Sequence, residues 1–144
     1  MIELIKKILN PGGIIFIQVP NDFSKYQEML LENNLVTEKY WVSYPEHLHY
    51  FNSKSLQNIL ESQGLEKLDF FSTFPIDWFL ANPNSSYVND RSKGKAAHLA
   101  RISIENIISR EGIDKSNELY RSLANVGLGR DLCTIYRMKQ IEGN

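Results

Sequence analysis

Leu9-Asn10-Pro11-Gly12-Gly13-Ile14-Ile15-Phe16-Ile17-Gln18-Val19-Pro20-Asn21 is the stretch from which the fold can be read. Ile14, Ile15, Phe16, Ile17 and Val19 form a nearly continuous apolar run. That pattern predicts a strand covered on both faces, since a half-exposed strand alternates apolar and polar residues. Pro11 stops a preceding helix, and Gly12-Gly13 permits a turn with positive φ. Pro20-Asn21 ends the strand by removing a ladder donor and favouring a loop. Upstream, Ile2, Ile5, Ile8 and Leu9 recur at helical spacing with Glu3, Lys6 and Lys7 between them. The unit reads as an amphipathic helix of about two to three turns, a tight turn and a buried strand.

Downstream, Tyr26, Met29, Leu30 and Leu31 lie at helical spacing, with Ser24 as N-cap and Asn33-Asn34 as stop. Residues 39–51 have neither helical nor strand periodicity and read as a structured loop rich in aromatic and polar side chains. Asn52-Ser53-Lys54-Ser55 offers caps for a helix bearing Leu56, Ile59 and Leu60 on one face, closed at Gly64. Leu65 to Ser72 reads as a second strand. Strand, helix and strand in that order favour two parallel strands joined by a right-handed crossover. From Thr73 to Gly129 the chain is less regular, with turns around Trp78-Phe79-Leu80 and then a helical hairpin over 96–110 and 114–124. A last strand follows over Leu132 to Met138, and Lys139 to Asn144 reads as a polar tail. The expectation is an α/β fold of about three mixed strands with flanking helices. It forms a single domain, 1–144, with a helical insertion at about 74–128.

At 144 residues the chain suits one core, and the net charge of -1 comes from 16 basic and 17 acidic residues, well mixed. That balance argues against a nucleic-acid surface or a polybasic membrane anchor. No apolar run approaches the ~18–20 residues of a membrane span, and Met1-Ile2-Glu3 does not open a signal peptide, so the expected compartment is the cytoplasm. The single cysteine, Cys133, lies in a strand-like run and reads as a small buried residue; one cysteine also rules out an internal disulfide and a cysteine-based zinc site.

The residues together resemble the second half of the class I methyltransferases that use S-adenosylmethionine. Leu9 to Gly13 with its strand looks like the turn and fifth strand of those enzymes. Pro45-Glu46-His47-Leu48-His49-Tyr50-Phe51-Asn52-Ser53-Lys54-Ser55-Leu56, with Ile59-Leu60 and Gly64-Leu65-Glu66, is similar to the loop, helix and sixth strand of a branch acting on small molecules and sugar precursors. Leu128-Gly129-Arg130-Asp131-Leu132 resembles that branch's entry to a last, antiparallel strand. The resemblance implies an incomplete Rossmann-like sheet with the last strand lying antiparallel between the first two. The glycine-rich strand, turn and helix that hold the cofactor in the family have no counterpart here. No cofactor-binding residue is therefore assigned, and S-adenosylmethionine is expected to serve the complete enzyme and not this chain alone.

For the chemistry, the resemblance points to the loop bearing Tyr44, Glu46 and His47. His47 is the candidate base for the acceptor's proton, with Glu46 orienting it or touching the acceptor, because histidine titrates in the useful range. Asn21, His49 and Trp41 are candidate contacts to a small-molecule acceptor. The opposing reading is structural: His47 and His49 bond backbone groups and pack, and Trp41 belongs to the core. Arg91, Lys93, Lys95, His98 and Arg101 form a loose basic group, either facing a phosphate or simply solvated. His47 and His49 are too sparse for a metal site. A noncatalytic remnant or an assembly module stays open as the other functional class. The first strand would leave one edge unpaired, which predicts a homodimer through residues 14–19 or a covering helix.

Overall fold

The computed structural model describes residues 2–139. Three strands form one sheet in the order β1 (Ile14–Pro20), β3 (Asp131–Met138), β2 (Leu65–Phe71), and both ladders are antiparallel. β1 and β2 thus run in the same direction with the reversed β3 between them, as the resemblance implies. Helix α1 (Ile2–Ile8) precedes β1, and α2 (Lys25–Glu32) and α3 (Ser53–Ser62) lie between β1 and β2. Two 3-10 turns, Ile76–Ala81 and Arg91–Lys93, then α4 (Gly94–Arg110) and α5 (Ile113–Asn125), separate β2 from β3.

Local chemistry explains the boundaries. Ser24 and Gln27 form a reciprocal capping box at the start of α2, and Asn52 and Ser55 form another at α3. At Gly13 a β-carbon would stand 2.8 Å from the Asn10 carbonyl oxygen, so only glycine passes through this turn. Register then sorts the strand residues between two faces. Ile15, Ile17 and Val19 oppose Tyr136, Thr134 and Leu132, and Phe70 opposes Thr134 from the other side. Against this face pack Ile2 of α1 and Leu56 and Leu60 of α3, giving a core in which Leu60, Leu65 and Tyr136 are almost fully buried. Each such burial contributes roughly 1.5–3 kcal/mol.

The other face corrects the expectation of a doubly buried first strand. Ile14 and Phe16 are 62% and 52% exposed, and burial along β1 alternates. The apolar run prepares both faces for cover, yet among the described residues helices α1 and α3 cover only one. Phe16 instead stacks on Phe71 across the central strand at 6.0 Å. α5 docks on β2, where Arg121 clasps Asp69 through two bonds of 3.0 and 2.6 Å and the Tyr120 carbonyl accepts from the Ser72 amide. The tail expected over 139–144 lies, past Lys139, outside the described residues. No helix among those described is long and apolar enough to cross a membrane.

Candidate functional site

β1 and β2 end, and β3 begins, at the same end of the sheet, where Gly129-Arg130-Asp131 ties the three together. The Asn21 side-chain amide donates to the Gly129 carbonyl at 3.0 Å, and the Asn21 backbone amide donates to the Arg130 carbonyl at 2.9 Å. Asp131 accepts from Gln18 at 2.8 Å and from the Thr73 hydroxyl at 3.0 Å, while the Ser72 hydroxyl donates to the Asp131 carbonyl. Asn21, expected to touch an acceptor, is 6% exposed and spends its amide on this knot.

Asp22 follows directly and is 2% exposed. Its backbone amide donates to the Phe51 carbonyl at 2.9 Å, but its carboxylate has no hydrogen-bond partner among the described residues. Burial pushes the carboxyl above its usual range, and Arg130 and His47 work against that rise. Phe23, next in the chain, takes φ 55°, in the left-handed region that favours glycine. Its ring is held edge-on by Trp41 at 5.8 Å and Tyr50 at 6.1 Å, so the aromatic cluster sustains a turn that keeps Asp22 inside. Trp41 is thereby a buried wall, 3% exposed, with its indole N–H unpaired.

Residues 42–49 pass over this end of the sheet as a largely exposed loop. The Ser43 amide donates to the Tyr50 hydroxyl at 3.0 Å, the His47 amide donates to the Ser43 carbonyl at 2.7 Å, and Glu46 accepts from the Ser43 hydroxyl. Glu46 therefore braces the loop. The His47 ring is exposed, tilted against Tyr50 at 6.1 Å and within electrostatic reach of Asp22. Tyr44 is 85% exposed. His49 turns away, tilted against Phe51 and lining a shallow apolar groove with Ile2 and Ile59. Of the candidates named from sequence, His47, Asn21 and Trp41 converge on the strand ends; His49 does not.

Sequence reasoning assigned no catalytic or acceptor-binding role to Asp22, Asp77 or Arg130. Asp77 is 5% exposed and accepts from the Tyr87 hydroxyl at 2.9 Å. Arg130 approaches its other oxygen at 3.6 Å. Burial alone would depress the Arg130 guanidinium, but Asp77, with Tyr40 and Tyr87, outweighs it and holds the group firmly charged. The available signals were a carboxylate just past a strand end and an arginine just before a strand start.

Residues 1–69 match a family model described as a methyltransferase domain. The matched segment runs from α1 into β2 and includes β1, Asn21, Asp22 and the loop bearing His47. No curated protein matches the chain. A methyltransferase domain implies a cofactor of the S-adenosylmethionine type, and the described residues do not fit it. Gly12 and Gly64, both with positive φ, lie at the opposite end of the sheet, before β1 and β2. Gly129 does stand at the right end, but the place a β-carbon would take there is filled by Ser72. Neither arrangement leaves a glycine cradle open to a ligand.

Proposed function

We propose that this chain is the acceptor-side half of a class I S-adenosylmethionine-dependent methyltransferase of the branch that modifies small molecules and sugar precursors. The observation that supports the methyltransferase class is the methyltransferase-domain match over residues 1–69, and the half and the branch rest on the resemblance of the motifs alone. The strand order, with reversed β3 between β1 and β2, supports it. So does the gathering of polar groups at the ends of β1 and β2, where open α/β sheets bind ligands. In this reading the described residues supply the acceptor side of the site and not the cofactor cradle.

In this reading His47 takes the proton of an acceptor hydroxyl, amine or activated carbon, and Asp22 stabilises the resulting imidazolium from its buried position. The aromatic wall of Trp41, Phe23 and Tyr50 limits how the acceptor approaches.

Three measurements test it. Calorimetric titration of the 144-residue chain with S-adenosylmethionine is expected to show no micromolar binding; micromolar binding overturns the half-enzyme assignment. The coding sequence immediately upstream is expected to hold an in-frame glycine-rich strand-turn-helix, or a neighbouring gene to encode one. With the cofactor half present, His47→Ala is expected to lower kcat by roughly 10²–10⁴-fold. Full activity without His47 would refute its role as base.

A further inference from the structure

Beside the strand-end knot lies a cavity of about 500 Å³ whose walls include Lys39, Tyr40, Asp77, Tyr87, Arg91 and Arg130. It shares Tyr40, Tyr87 and Val88 with a second apolar cluster built on Leu30, Val36 and Leu80, so α2, the 3-10 turn at Ile76–Ala81 and the segment around residue 87 hold it open. The volume suits a ligand of monosaccharide size.

We propose that this cavity recognises an anionic group, phosphate or carboxylate, carried by the acceptor, with Arg130 as its anchor and Lys39 and Arg91 at its mouth. The proposal rests on the acceptor-side reading and names the substrate class that reading leaves open.

Unused donors carry the argument. Arg101, Arg121 and Arg137 each hold a carboxylate at 2.6–3.0 Å. The Arg130 guanidinium makes no hydrogen bond among the described residues, and its Nη1 is buried without a partner. Its nearest carboxylate oxygen, on Asp77, stands at 3.6 Å, and the other Asp77 oxygen is taken by Tyr87. A buried guanidinium with idle donors is costly, and its fork matches an oxyanion. The Tyr40 hydroxyl, also buried and unpartnered, adds a further idle donor.

Charge at the mouth points the same way. Arg91 and Lys39 have no carboxylate within ion-pair distance among the described residues, while Lys93 is paired with Asp90. Three cations therefore face two carboxylates, Asp77 and Glu38, with Asp77 already engaged. Donors exceed acceptors, which favours a ligand rich in acceptor oxygens over a cation or an apolar group. Arg130 is 30% exposed along its side chain, enough to meet a ligand entering from the mouth.

The test is calorimetry at low salt on the 144-residue chain with inorganic phosphate, glucose 1-phosphate, glucuronate and glucose, with no cofactor added. Binding of the anionic sugars with glucose silent supports the proposal. A preference for the phosphate or for the carboxylate then identifies the source of the charge. Arg130→Met is expected to abolish binding, and because that change risks the knot, Arg91→Ala and Lys39→Ala at the exposed mouth serve as independent checks, each weakening binding roughly two- to fivefold. Glucose binding as tightly as the anions, silence of every anion at tens of millimolar, or unchanged affinity in both mouth variants overturns it. Since the assay contains no cofactor, failure of the methyltransferase reading leaves this result standing. An active complete enzyme with a neutral acceptor would refute the cavity's role alone.

Discussion

Gly129 lies so close to Ser72 that a β-carbon built at 129 would stand 1.6 Å from the Ser72 hydroxyl oxygen and 2.2 Å from its Cβ. This contact draws the end of β2 onto the start of β3, where Ser72 also donates to the Asp131 carbonyl. Gly129→Ala is expected to destabilise the chain by about 1–3 kcal/mol through overpacking, with Asn21 and Arg130 displaced along with the knot. Chemical denaturation measures the cost. Ser72→Gly in the same background is expected to recover part of it, and full additivity of the two changes would contradict the contact.

Asp22 gives a stability effect with a definite sign. Its carboxyl in the folded chain lies above its ordinary 3.8, chiefly through burial, so the native state holds that proton more tightly than the unfolded one. Stability contributed by the neutral form is complete below 3.8 and falls as pH rises through the raised value. Asp22→Asn removes that loss. Thermal melts are expected to place the variant above the parent at pH 7, with the gap closing below pH 3.8. A variant less stable at pH 7 would show that Arg130 and His47 already offset the cost of burial.

The local part of this architecture was legible in the sequence, and its long-range part was not. Asn52 with Ser55, Ser24 with Gln27 and the turn at Gly12-Gly13 are set by neighbours three residues away or fewer, so caps and turns fell where the residues placed them. The tie from Asn21 to Gly129 spans 108 residues, and no spacing rule reaches that far. Arg130 and Asp77 likewise meet only once β3 is in place. Exposure of Ile14 and Phe16 escaped for another reason: an apolar face reports readiness for cover, not the presence of a covering layer.

Cys133 supplies a probe of the central strand. It is 1% exposed, and burial, reinforced by Asp131, pushes its thiol up to about 11. Thiolate is the reactive form, so alkylation at pH 8 is expected to be slow in the native chain and fast in denaturant. Mass spectrometry after a timed reaction distinguishes the two. Rapid native labelling would mean that β3 opens from the sheet far more readily than its two ladders imply.

β1 pairs with β3 on one side, and no strand among the described residues pairs with its other edge. Ile14 and Phe16 add exposed apolar surface beside that edge. An unpaired apolar edge templates association, and natural proteins usually blunt it with charge, proline or a bulge. Along β1 only Pro20, at the very end, serves that purpose. In the absence of a cofactor half the chain is therefore expected to dimerise through residues 14–19. Sedimentation at tens of micromolar should show the dimer, and outward-facing amides of β1 should exchange slowly. Phe16→Lys places a charge on this surface at the cost of the Phe71 stack, about 0.5–1.5 kcal/mol, and should shift the population toward monomer. A monodisperse parent monomer whose outward β1 amides exchange freely would leave the edge uncovered and refute both self-association and a covering helix.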